Sequence, residues 1–285
     1  MTNYLDVVSW YGVKLYPGIG NYLKYKTILN ELLNLGKFDD IRCSVSRAVV
    51  EDTRGSYEDI EAWYQSHYAV LNFLFSKDKN ITVVDNQEFE LRHPRDFALP
   101  IVPKIQKDII NEFSGVLNLP NNYITITTKI WSDLFLHAHY ESLKKDFFKA
   151  IKSLNSKIVI IGERCLTPSN EYAVVPCFSI YEDIVSEFPD HIDMTIEETV
   201  NNNDIPELKR SFHIMNNAKL NILLSHSGVK VLMPFVSDNI LGLYHSNHKD
   251  NWAPGELDDR PNINYVDGFQ SLIDHIGISY ENNIA

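Results

Sequence analysis

At 285 residues the chain exceeds the usual single-domain length, so two domains are the starting expectation. Its 44% hydrophobic and 22% charged residues are the mix of a soluble globular protein, and twelve glycines and twelve prolines are too few for a linker-rich or disordered one. The net charge of −12 counts against a protein that tracks nucleic acid or an anionic membrane, since both bind chiefly through lysine and arginine.

Met1 to Trp10 shows no basic segment followed by an apolar one, and no apolar run is long enough to span a bilayer. The three cysteines, Cys43, Cys165 and Cys177, are odd in number and widely spaced. They read as reduced thiols, and the expected location is the cytoplasm, of a bacterial cell or of a virus's host.

Leu5 to Trp10 is a short apolar stretch. After a loop with Pro17, Gly18 and Gly20, the segment Tyr22 to Leu35 places Leu23, Ile28, Leu29, Leu32 and Leu33 largely on one helical face. Ile41 to Val50 reads as a strand, Tyr57 to Phe75 as an aromatic-rich helix and Ile81 to Asp85 as a buried strand. Pro94, Pro100 and Pro103 mark an irregular region, and Lys104 to Val116 reads as a helix. Leu119 to Asn122 has turn chemistry and is the expected boundary, dividing domains 1–119 and 120–285.

Strand and helix then alternate again. Tyr123 to Lys129 reads as a strand, Ser142 to Leu154 as an amphipathic helix, and Lys157 to Gly162 as a central parallel strand. Ile180 to Phe188 and Ile205 to Ala218 read as helices, the second with Pro206 in its first turn. Leu220 to Leu224 and Asn239 to Tyr244 read as strands, and Gly268 to Ile276 as a closing helix that has the option of crossing back to the first domain. The pattern implies an α/β fold with parallel sheets covered on both faces.

Parallel sheets bind ligands at strand carboxyl ends, which singles out four places. Gly18-Ile19-Gly20-Asn21 opens a helix, where backbone N–H groups meet an anion; the plainer reading is a tight loop and cap. Glu163 and Arg164 directly follow a buried strand, suiting ribose hydroxyls and phosphate respectively; the plainer reading is a surface ion pair. Ser225-His226-Ser227-Gly228 offers hydroxyls and backbone N–H groups to a diphosphate, or a simple helix cap. Lys129 ends a strand, where a point charge neutralises phosphate or is merely solvated. His137 and His139 have no carboxylate at a supporting spacing, and no metal is expected.

Together these positions resemble the bacterial ADP-heptose:lipopolysaccharide heptosyltransferases and their wider GT-B relatives. The resemblance lies in the glycine loop Gly18 to Asn21, in Glu163 after its strand, and in His226-Ser227-Gly228 opening the segment after Leu224. It implies two Rossmann-like domains facing across a cleft, the first on the acceptor side and the second binding a nucleotide-diphosphate sugar. It implies Gly18, Gly20, Asn21, Lys129, Glu163, Arg164, Ser225, His226, Ser227 and Gly228 as donor-binding residues. It also implies sugar transfer to an acceptor hydroxyl with no metal and no cofactor beyond the sugar nucleotide.

Asn21 stands where the family has an aspartate proposed as base, and an amide cannot accept a proton at neutral pH. Another group of the first domain must serve, and Asp52, Glu51 and His93 are the candidates, Glu51 having a possible partner in nearby Arg54. The acceptor is a glycan, or alternatively a modified nucleobase in a phage-type DNA-modifying enzyme, which the acidic charge disfavours. An epimerase of the same architecture and a non-catalytic sugar-nucleotide-binding relative are the remaining readings.

Overall fold

The computed structural model describes residues 10–54, 60–99, 105–110, 117–131, 134–163, 177–196, 205–224, 233–244 and 262–281. The chain divides into two compact units, the first formed by 1–103 with 203–206 and the second by 104–202 with 207–285.

The first unit carries β1 (Trp10–Leu15), α1 (Ile19–Asn34), β2 (Asp40–Val45), α2 (Arg47–Arg54), α3 (Ile60–Phe75), β3 (Ile81–Val83) and β4 (Leu91–Arg92). Its four strands are all parallel in the order β3-β2-β1-β4. The chain runs outward from β1 through β2 to β3, then returns to the other side of β1. Val13, Leu15, Ile41, Cys43 and Val45 are fully buried, while Tyr22, Leu23, Ile28 and Leu29 turn α1 inward. Burial pushes the Cys43 thiol up to about 12, so it is an inert core group.

The apolar stretch Leu5 to Trp10 lies outside the described residues except for Trp10, where β1 begins. One expectation shifts. The strand expected over Ile41 to Val50 stops at Val45. Ser46 then accepts the Val49 N–H on its Oγ at 3.4 Å, and helix α2 begins.

The second unit carries α4 (Lys107–Ile110), β5 (Tyr123–Thr127), β6 (Lys129–Trp131), α5 (Leu134–Ser153), β7 (Lys157–Glu163), β8 (Cys177–Ser179), α6 (Tyr181–Glu187), β9 (Ile192–Ile196), α7 (Ile205–Asn217), β10 (Leu220–Leu223), β11 (Ile240–Tyr244), β12 (Ile263–Asp267) and α8 (Gly268–Glu281). Six strands form a parallel sheet in the order β12-β11-β10-β5-β7-β9. Counted along the chain this is the 3-2-1-4-5-6 order of dinucleotide-binding sheets. β6 and β8 make a separate antiparallel pair. Phe269 of α8 meets Tyr140 and Phe147 of α5 at ring-centroid distances of 5.5 and 5.8 Å, so the closing helix packs within this unit. Pro234 lies in a short 3-10 turn, Met233–Phe235, and not inside an α-helix, as its missing N–H requires.

Candidate functional site

In each unit the strand order reverses beside the first strand, at β1/β4 and at β5/β10. Ligands of open α/β sheets bind outside the carboxyl ends of such strand pairs.

In the first unit, Tyr16 follows β1 and His93 follows β4, and their rings meet edge-on at 5.3 Å. Tyr25 of α1 ties the two strand ends together. Its hydroxyl accepts the Tyr16 N–H at 3.0 Å and donates to the Arg92 carbonyl. Burial holds that phenol protonated far above its ordinary range.

Gly18, with φ of +124°, turns the loop into α1, a conformation that favours glycine. The Gly18 carbonyl takes the Tyr22 N–H at 3.0 Å. Asn21 donates its amide to the Pro17 carbonyl at 3.1 Å, so it braces its own loop. Gly20 lies inside the first helical turn.

His93 caps the short turn Pro94–Asp96. Its Nδ1 accepts the Arg95 N–H at 3.2 Å, and its own N–H donates to Asp96 at 2.6 Å. Nδ1 as acceptor places the ring proton on Nε2. Burial lowers the His93 pKa and Arg95 lowers it further, with Asp96 opposing. At neutral pH His93 is therefore a neutral donor from Nε2 rather than a ready base.

Glu51 and Asp52 do not sit at a strand end. They are exposed on α2, which springs from the carboxyl end of β2. Glu51 pairs with Arg47 at 3.2 Å across one helical turn, and Arg47 also pairs with Glu61. The expected partner Arg54 has a side chain outside the described ones.

In the second unit, Thr127 accepts the Leu224 N–H on its Oγ1 at 2.8 Å, stitching the end of β5 to that of β10. Thr128 and Lys129 follow and are buried, and the Thr128 carbonyl takes the Ile180 N–H at 2.9 Å. Glu163 ends β7, next but one to β10, and the preceding Gly162 has φ of +93° with open space where a Cβ would stand. Arg164, Ser225, His226, Ser227 and Gly228 lie outside the described residues. The structure thus places Lys129 and the backbone of Glu163 at the carboxyl edge of one sheet, and Gly18, Asn21 and His93 at that of the other. A cavity of about 260 Å³ lies at the opposite, amino end of β5, β10 and β11, bordered by Leu220, Asn239 and Asn262, and offers no link to these residues.

One residue absent from the sequence-based candidates, Lys24, belongs to the place in the first unit. Lys24 is 5% exposed in the second turn of α1. Burial lowers its pKa to about 8, and Arg95 lowers it further. Its place among the buried residues of α1 carries no distinguishing sequence signal, since Lys26 on the same helix is buried as well. Among the described residues no three His, Cys, Asp or Glu side chains group to hold a metal.

Two Rossmann-like units of this order define a GT-B type of fold. No protein-family model matches the sequence, and no curated protein sequence matches it. Solved structures do. The iron-containing dodecameric glycosyltransferase TibC from enterotoxigenic E. coli H10407 is similar over 97% of this chain and 77% of its own, with TM-score 0.50 and 10% identity. The glycosyl transferase family 9 structure from Veillonella parvula DSM 2008 is similar over 96% and 89%, with TM-score 0.47 and 13% identity. E. coli ADP-heptose lipopolysaccharide heptosyltransferase II is similar over 96% and 98%, with TM-score 0.43 and 13% identity. At such identity the likeness to TibC establishes the fold alone.

Proposed function

We propose that the chain is a glycosyltransferase that moves a sugar from a nucleotide-diphosphate sugar to an acceptor hydroxyl. The observation that carries this is the 3-2-1-4-5-6 sheet of the second unit, with threonines and Lys129 at its switch point. On this reading the donor nucleoside lies by Glu163 and Arg164. The diphosphate lies among Lys129, Ser225, His226, Ser227 and Gly228, where backbone N–H groups and a lysine stabilise the leaving diphosphate. Gly18, Gly20 and Asn21 shape the first unit's loop toward the substrates. TibC is an iron-containing glycosyltransferase by description, so independence from metal is a separate point of the proposal.

A thermal-shift screen over nucleoside diphosphates and their sugars tests the reading, since a ligand that binds the folded chain raises Tm by mass action. At least one nucleoside diphosphate should raise it, and Glu163→Ala should weaken that ligand by about 1–3 kcal/mol through loss of a charged hydrogen bond. If none shifts Tm, the reading fails. Once a donor and acceptor are in hand, turnover should survive a chelator; loss that added iron restores would overturn the metal-free part.

The base must take the acceptor hydroxyl's proton as the sugar carbon is attacked. Asp52 comes first, because Glu51 is engaged by Arg47 and His93 carries its proton on Nε2. Asp52→Asn should cut kcat about 100-fold or more, while Glu51→Gln and His93→Ala should cost less. Full turnover in Asp52→Asn removes it from this role.

A further inference from the structure

The cavity of the second unit lies at the amino edge of its sheet, the edge opposite Lys129 and Glu163. Its volume of about 260 Å³ is near the lower end of ligand pockets, which run from about 300 Å³ upward. Strand register builds it. Ile240 stands opposite Asn221 of β10 and opposite Ile263 of β12. The residues just before these, Leu220, Asn239 and Asn262, therefore form a row across three neighbouring strand starts. Asn264 is two residues beyond Asn262 and shares its side of β12. Leu154 and Ser156 enter from the loop after α5, on either side of Asn155, whose φ of +46° ends that helix. His275 enters from α8, with its Nδ1–H held by the Ser271 carbonyl at 2.8 Å.

The backbone of the rim is already fastened. The Asn239 carbonyl accepts both the N–H and the side-chain amide of Asn221, each at 3.0 Å, and the Asn262 carbonyl accepts the Ile240 N–H at 2.9 Å. A site fixed in this way needs little ordering when a ligand enters. Ile124, Leu220, Ile240 and Leu241 supply apolar surface. Asn239, Asn262, Asn264 and Lys219 supply three amides and an ammonium. Each amide offers a donor and an acceptor together, the pairing that neighbouring hydroxyls of one molecule require. The described lining holds no Asp or Glu, in a chain with 38 of them, so a cation is not what it suits. One lysine among three amides is also short of the paired cations that hold a phosphate strongly.

We propose that this cavity is a carbohydrate site separate from the donor site, taking one neutral hexose ring. The amides of Asn239, Asn262 and Asn264 and the Lys219 ammonium take the ring hydroxyls, and the aliphatic side chains lie against its C–H groups. The site stands whether or not the transferase reading holds, since it uses none of the residues of that reading.

The test is saturation-transfer NMR of the full chain with glucose, galactose, mannose and N-acetylglucosamine, with inorganic phosphate as a separate probe. At least one sugar should take up saturation and shift the side-chain amide signals of Asn239, Asn262 and Asn264. Asn262→Leu and Asn264→Leu, both at exposed positions, should each weaken that sugar about fivefold through lost hydrogen bonds, and Lys129→Met should leave it unchanged. The amide signals of the parent chain locate the sugar without any variant, so a variant that fails to fold does not decide the matter. The site is overturned if no sugar binds, if a sugar binds with these three amides unmoved, or if phosphate alone moves them. Binding that is lost in Lys129→Met and kept in Asn264→Leu puts the sugar at the transfer site and overturns it too. Nucleoside diphosphate binding, measured on Asn264→Leu and expected to equal that of the parent, reports separately on the donor reading.

Discussion

Asp78→Ala is expected to destabilise the first unit by about 3–5 kcal/mol, because it strands a buried lysine. The Lys26 side chain is only 3% exposed and its Asp78 partner 13%. Lys26 runs from α1 to the carboxyl end of α3, where its ammonium donates to the Leu74 carbonyl at 2.8 Å and pairs with Asp78. The Leu74 carbonyl is among the last four of α3, which have no partner within the helix, so a cation there also meets the negative end of the dipole. Asn30 donates to the other Asp78 oxygen at 2.9 Å. Alanine removes the counter-charge from an ammonium held in a dry place.

The size of the loss comes from the uncompensated charge, not from the worth of the pair. The double variant Lys26→Met with Asp78→Leu should therefore recover most of the stability. Urea unfolding of the two variants checks this. A single variant within about 1 kcal/mol of the parent, or a double variant as weak as the single, contradicts the account.

What the sequence made legible follows from where each element sits. The strands of the central sheet positions, Tyr123–Thr127, Lys157–Glu163 and Leu220–Leu223, are buried along most of their length and read as short runs rich in β-branched and apolar residues. Helix α1 announced itself through Leu23, Ile28 and Leu29. The edge strands β9 and β12 did not: Ile192–Ile196 and Ile263–Asp267 are five residues each, with polar side chains interleaved, and resemble loops. The run through Val50 looked like one strand because Val49 and Val50 are β-branched, yet packing and the Ser46 cap make them helical. That single misplaced boundary moved Glu51 and Asp52 from a strand end to a helix surface.

The candidate site was legible as loops after strands and illegible as side-chain chemistry. Nothing in the pattern around His93 shows that its Nδ1 is taken by a backbone N–H, since that depends on the turn the chain makes at Pro94. Lys24 stands between Leu23 and Tyr25 with nothing in its neighbours to mark it, and lysines in helices are usually solvated. Its burial comes from the turn after β4 packing onto α1, a contact about seventy residues distant in sequence that local spacing does not encode.

Asn221→Ala is expected to cost about 3 kcal/mol or more in the second unit and to weaken donor binding. Asn221 stands on β10 opposite Thr125 of β5, on the two strands where the sheet order reverses, and is fully buried. Its Oδ1 accepts the Thr125 hydroxyl at 2.6 Å. Its amide donates to the Met215 and Asn239 carbonyls, each at 3.0 Å, and to the Ser237 hydroxyl at 2.9 Å. One side chain thus fastens β10 to β5, to the end of α7 and to the turn before β11. Alanine leaves several of these groups without a partner in a dry core, at about 1–3 kcal/mol for each one left unsatisfied.

Asn221→Asp separates this network from a loss of packing. The carboxylate keeps the Thr125 bond but turns an acceptor toward the two carbonyls. Its pKa in the folded state must rise above the unfolded value, since burial and nearby oxygens disfavour the charge. A raised folded pKa means stability that is present at low pH and lost as pH rises through that value, whereas the alanine deficit stays constant with pH. Denaturation of both variants across the acidic to neutral range reads the difference. If Asn221→Asp shows no such slope, the amide does not hold these carbonyls in solution. If both variants bind a nucleoside diphosphate as the parent does, the β5/β10 junction does not support donor binding.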